Sequence, residues 1–201
     1  MSASRTVPYG FPYGSVCRVK RKLAREDWAD AALEALCEGG VAAIAVEPIA
    51  AKLGTTKGSF YWHFANRDAL VEAAVRRWAE QHTEALITLL DGIADPARRL
   101  RELFELVFGA KDERAELALL AHADDPVIGP LLADVTARRV EFIVRCFREM
   151  DCPEAEARHR ALLAYTAFVG LIQAQRASGG TLLSATERPA YLEFLRGIIT
   201  R

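Results

Sequence analysis

Apolar positions recur with a helical period almost throughout the chain from Ala24 onward, and the two-residue alternation that marks a strand is hard to find. Trp28, Ala31, Ala32, Ala35 and Leu36 share one face and stop at Gly39 and Gly40, where a C-cap is expected. Residues 46–53 predict a short second helix ending at Gly54, with Pro48 tolerated because it falls in the first turn. Thr56 is suited to cap a third helix through its hydroxyl oxygen. Ala65 and Asn66 break the pattern before a long fourth helix, about 67–90, carrying Leu70, Ala74, Trp78 and Leu86. Asp95 and Pro96 open a fifth, with Leu100, Leu103, Phe104 and Val107 facing inward, and a sixth, about 113–123, stops at Asp124, Asp125 and Pro126. A seventh covers about 130–150 and an eighth 154–177, strongly apolar from Ala161 to Ile172. Ser178, Gly179 and Gly180 close the eighth, and Ser184 with Glu187, or Thr186, caps a ninth that ends in Phe194, Leu195, Ile198 and Ile199. The expected fold is all-α, with about nine helices, no internal repeat and no low-complexity segment.

The second and third helices are each about two turns long, too short to persist alone in water, so something must brace them. Ala50 and Ala51, followed by Gly54, let one short helix turn sharply into the next. That is the spacing of a helix-turn-helix, with Ile49, Leu53, Phe60 and Phe64 as its apolar posts. The segment TTKGSFYWHFANRDAL crowds Phe60, Tyr61, Trp62 and Phe64 into five positions of a chain only 8% aromatic. Phe60 and Phe64, four apart, share a face and can anchor the helix. Trp62 then points nearly opposite them, beside Gly58 and Ser59, with Tyr61 and His63 on the flanks.

An exposed Trp, Tyr and His on a braced helix make a partner surface, and the neighbouring chemistry suits DNA. Thr56 and Lys57 stand at the helix start, where backbone N–H groups favour a phosphate. Gly58 allows a sugar-phosphate strand to come close, and Arg67 is suited to a second phosphate. Ser59 and the faces of Tyr61 and Trp62 suit base edges and thymine methyl groups, while the polar atoms of Tyr61 and His63 suit phosphates. The plainer alternative has Trp62 packed under the N-terminal arm and His63 as an ordinary surface residue.

Charge sharpens this picture. The formal net charge is −1, yet residues 1–67 hold nine Lys/Arg against six Asp/Glu, leaving −4 for the rest. The basic residues are densest at Arg18, Lys20, Arg21, Lys22 and Arg25. A basic end on an acidic body suggests one part that meets a polyanion and one that does not; a solvated charged tail is the alternative. Residues 1–17, rich in Pro, Gly and Tyr, lack a helical period and read as a flexible arm or as a start codon assigned too far upstream. Cys17, Cys37, Cys146 and Cys152 lack metal-ligand spacing and read as reduced thiols. No run reaches the length of a membrane helix and no signal core opens the chain, so a cytoplasmic protein is expected.

Residues 24–70, above all Ile49 with Ala50, Leu53 with Gly54, and TKGSFYWHFANRDAL, resemble the DNA-binding domain of the tetracycline-repressor (TetR) family. The resemblance implies a homodimeric transcription regulator, a repressor released from its operator on double-stranded DNA by a small-molecule effector of unknown identity, with no cofactor. It implies a flexible basic arm (1–22), a helix-turn-helix domain (23–69) and an effector-binding and dimerisation domain (70–201). Lys57, Gly58, Ser59, Tyr61, Trp62, His63 and Arg67 match family positions that commonly touch DNA. The chain departs from the family where a Thr or Ser often caps the second helix, for it reads Ile44, Ala45, Val46. One cap and one phosphate contact are therefore expected to be missing, with the basic arm as compensation.

In the remaining two thirds, the small residues Ala161, Ala164, Ala167 and Gly170 suggest close approach of a twin helix. Phe168 and Leu171 would fill between, and Phe194 and Ile198 extend the expected dimer face. An internal core helix is the alternative. An effector cavity is expected near Trp78, Phe104, Phe108, His122, Arg139, Phe142, Tyr165 and Phe168. Arg139 interrupts the apolar stripe of the seventh helix, so it must be paired, with an internal carboxylate such as Asp124 or Asp125 favoured over an anionic effector. Two other functions compete. A helical enzyme would have to use His122, Asp124 and Asp125, a cluster better explained as a solvated helix end. A helical adaptor would grip a protein through the aromatic face.

Overall fold

The computed structural model describes residues 23–109 and 114–199, so the arm expected at 1–22 lies outside the described residues. Among the described residues there are ten α-helical segments: α1 (Arg25–Gly39), α2 (Val46–Lys52), α3 (Lys57–Phe60), α4 (Arg67–Ala79), α5 (Ala85–Asp91), α6 (Pro96–Gly109), α7 (Arg114–Leu120), α8 (Ile128–Arg148), α9 (Glu154–Ala177) and α10 (Arg188–Ile199). The fold is all-α. The helix expected over 67–90 is α4 and α5 joined by a π turn, Glu80–Glu84, so the ten segments make the expected nine rods. α7 is shorter than its pattern suggested, because residues 121–127 form a turn in which Asp125 takes over the start of α8.

Local chemistry sets the boundaries. Asp27 reaches back to the Ala24 N–H at 2.7 Å, occupying a donor that the first turn of α1 leaves open. Gly40 ends α1 at φ 71°, and Gly54 turns α2 toward α3 at φ 65°, a left-handed conformation in which a Cβ is costly. Asn66 accepts from the Ala69 N–H at 2.9 Å and so starts α4. Ser184 and Glu187 form the reciprocal box expected ahead of α10, each side chain meeting the other's backbone N–H at 3.2 Å.

Buried side chains gather in two cores. The first joins α1–α4 to α7 and the N-terminal half of α8, with Trp28, Leu36, Phe60, Leu70 and Trp78 at its centre. The second joins α5, α6, the C-terminal half of α8, α9 and α10 around Leu100, Phe108, Phe142, Phe147 and Ala161. The long α8 belongs to both, and Arg139 lies on it between Val135 of the first core and Val140 of the second. No described helix is long and apolar enough to cross a membrane.

Candidate nucleic-acid interface and interior cavity

α2 has seven residues and α3 four, and both are held by their surroundings. Thr56 caps α3, its hydroxyl accepting from the Ser59 N–H at 3.4 Å. Phe60 is buried with its ring stacked on Phe64 at 5.5 Å and meeting the edge of Trp28 at 5.6 Å, while the Arg25 guanidinium covers Phe64 at 4.9 Å. Beyond α3 the chain keeps a helical turn, the Phe64 N–H donating to the Phe60 carbonyl at 3.0 Å, and so holds the face assignment read from the spacing. Trp62 is 88% exposed and Tyr61 58%, whereas His63 is half-buried. Gly58 is exposed, and a Cβ built on it would meet the Thr56 hydroxyl at an ordinary 3.5 Å. The fold therefore does not require glycine there.

Two of the candidate cations are already engaged. The Lys57 ammonium pairs with the Glu47 carboxylate across the turn. That hydrogen bond holds the Glu47 carboxyl below its usual range and raises Lys57. Arg67, expected to meet a phosphate, donates from Nε to the Ile44 carbonyl and from Nη2 to the Val41 carbonyl, each at 2.7 Å. Its guanidinium braces the linker between α1 and α2, which explains how α2 holds its place although Ala45 offers no side-chain cap. The Val41 carbonyl also accepts from the Ile44 N–H at 3.2 Å, so Arg67 is its second donor, and this use of Arg67 was invisible in the sequence.

A cavity of about 350 Å³ lies at the seam of the two cores. Trp78, Phe104, Phe108, Arg139, Phe142, Tyr165 and Phe168 all line it. His122 does not: it is exposed on the turn after α7, its Nδ1 at 2.9 Å from the Ala118 carbonyl. In its place the cavity has Cys37, Gln81, His82, Thr83 and Glu116. The π turn sets Gln81, His82 and Thr83 against the cavity, where an unbroken helix would have continued the α4 stripe.

Arg139 is paired internally, as favoured, but neither Asp124 nor Asp125 is the partner. Its Nη1 donates to both Glu116 oxygens at 2.9 Å, its Nε donates to the Thr83 hydroxyl at 2.9 Å, and the guanidinium lies 4.9 Å over the Trp78 ring. Glu116 stands three positions before the buried Leu119, a spacing that was legible as an inward carboxylate. Asp125 instead accepts from the Val127 and Ile128 N–H groups at 2.8 and 3.1 Å, which holds its carboxyl below the usual range. The acidic cluster beside His122 is thus a helix start.

The expected dimer face needs correction. Ala161, Ala164 and Leu171 are buried within the chain, where α9 packs on α8, whereas Gly170 is exposed. Phe168 is half-buried at the cavity wall, meeting the edge of Phe108 at 5.7 Å. Phe194 and Ile198 remain outside, 66% and 46% exposed, and Leu162 and Leu163 form the apolar outer side of α9.

Comparison with known proteins gives the same picture. Residues 29–74 match the family described as bacterial regulatory proteins, tetR family. The tetracycline repressor protein class D of Escherichia coli is 41% identical over 66 residues, which is 32% of this chain and 30% of that repressor. The HTH-type transcriptional regulator TtgR of Pseudomonas putida is 28% identical over 159 residues, 74% of this chain and 70% of that protein. The fold superposes on the reduced form of NemR from Escherichia coli with a TM-score of 0.73, covering 87% of this chain and 96% of that one at 15% identity. With the helix-turn-helix in the matched segment and the larger helical bundle behind it, the chain carries the DNA-binding domain of the tetR family at residues 29–74 and has the fold of a TetR-family regulator.

Proposed function

We propose that the chain is a homodimeric, sequence-specific DNA-binding regulator, a repressor that leaves its operator when a small molecule enters the cavity. The observation that carries the reading is the exposed Tyr61 and Trp62 pair standing on the buried Phe60 and Phe64 inside the family segment. Phe60 and Phe64 fix the backbone, so Tyr61 and Trp62 are presented without paying the ordering cost of a loop. Thr56, Lys57, Gly58, Ser59 and His63 surround them as candidate phosphate and base contacts. Phe194 and Ile198, with Leu162 and Leu163, supply the apolar surface on which a second copy would sit. Two reading heads then fall on half-sites about 34–36 Å apart, one helical turn of DNA, or a multiple of it.

α4 links the cavity to the DNA face. Trp78 near its C-terminal end lines the cavity, and Arg67 at its start grips the linker that orients α2. A ligand that tilts α4 therefore shifts both short helices and changes the separation of the heads. Electrophoretic mobility shift with DNA from the upstream region of its own gene tests the reading. Binding is expected to fall steeply between 50 and 200 mM salt by counterion release, with retention of the band at every salt concentration counting against DNA as partner.

A further inference from the structure

The cavity walls are of two kinds. The rings of Phe104 and Phe108 stack with planes 8° apart at 5.6 Å, and Phe168 meets Phe108 edge-on at 86°, leaving flat apolar surfaces. The same cavity is lined by Arg139, whose side chain is 16% exposed, paired with Glu116 at 9%. A guanidinium carries five N–H donors. The Nε donor goes to Thr83 and the Nη1 group to the two Glu116 oxygens; no acceptor among the described residues takes Nη2. The polar part of the lining therefore has donors left over on a cation whose charge Glu116 already balances.

Those two facts select the occupant. Spare donors call for an acceptor on the ligand. The balanced pair calls for no formal charge: an anion would leave a net negative charge in an apolar cavity, and a cation would bring a second positive charge beside Arg139. The volume is at the lower end of small-molecule sites, about 300–1,000 Å³, which suits a compact ring system. Resting on the reading of this cavity as the effector site, we infer that its ligand is an uncharged, flat aromatic molecule bearing a carbonyl-type acceptor that Arg139 Nη2 takes up.

A matched set on one ring skeleton tests this: 2-acetonaphthone, naphthalene, 2-naphthoate and 2-naphthylmethylammonium, each titrated calorimetrically into the full chain at pH 7. The ketone is expected to bind at least about ten-fold tighter than naphthalene, the gain of a hydrogen bond from a charged donor, and tighter than either ion. In Arg139→Met the ketone's advantage over naphthalene should vanish while naphthalene still binds. The wild-type ranking decides the matter even if that variant fails to fold. Tightest binding by 2-naphthoate, tightest binding by the ammonium, equal binding of ketone and naphthalene, or no binding by any of the four overturns the inference. Fluorescence anisotropy of labelled operator DNA is read in parallel. A ketone that binds but never releases DNA upholds the ligand class and removes the effector reading instead.

Discussion

Substituting Arg139→Met deletes the guanidinium that answers Glu116, Thr83 and the Trp78 ring at once. The Glu116 side chain, 9% exposed, is left as an unpaired carboxylate inside the seam. Breaking a buried pair in this way costs about 3–5 kcal/mol, and water reaching the cavity places the expected loss near the lower bound, about 3 kcal/mol. For a chain of this size that is a fall in melting temperature of roughly 6–12 °C. Glu116→Leu alone should be comparably damaging, since it strands the cation. The double variant Arg139→Met with Glu116→Leu removes both charges and should lie within about 1 kcal/mol of the wild type, because an apolar pair of similar volume replaces an ionic one at little net loss. Urea unfolding followed by circular dichroism, at fixed protein concentration, gives the full cycle with an expected coupling of about 6 kcal/mol in magnitude, the two single losses together less the near-zero loss of the double variant. A single-variant loss below about 1 kcal/mol, or a double variant whose loss is the sum of the two, would refute the view that the two charges are held in place by each other.

Trp62→Ala should weaken operator binding at least about ten-fold, while the melting temperature stays within the change of about 0.5 kcal/mol expected of an exposed site; a large loss of stability would show that the ring packs inward. Glu47→Gln releases Lys57 from its ion pair, so DNA affinity should rise several-fold at low salt and the salt dependence should steepen by about one counterion in a log–log plot. Unchanged affinity and slope would show that Lys57 does not face DNA. Asp125, whose folded carboxyl is held below its usual range by two backbone N–H groups, contributes stability that is complete above the ordinary carboxylate range and is lost as pH falls through the depressed value. Asp125→Asn, which keeps an acceptor but cannot titrate, should flatten the loss of melting temperature between pH 5 and pH 3; an identical acid slope in both proteins would contradict the assignment.

Much of the fold was legible because each helix carries its own instructions. α9 begins and ends where Pro153 and Ser178 bound the apolar run, and Phe60 and Phe64 turn inward because four residues bring them to one face. The π turn at Glu80–Glu84 was not legible, since nothing local in that polar run opposes an ordinary helix. Nor was the role of Ala161 and Ala164. Small residues state only that something comes close, and Ala161 and Ala164 are buried where α9 packs on α8 of the same chain.

By itself the sequence determined an all-α chain, the helix-turn-helix segment and the sorting of its aromatic side chains into anchors and exposed rings, because these depend on periodicity and caps within a few residues. Only the tertiary structure decided which charges answer one another. Arg139 and Glu116 are 23 positions apart, Arg67 and Ile44 likewise 23, and Lys57 and Glu47 ten. Such pairings are set by how helices pack in space, and a residue's own neighbours along the chain do not encode which distant carbonyl or carboxylate will be left needing a partner.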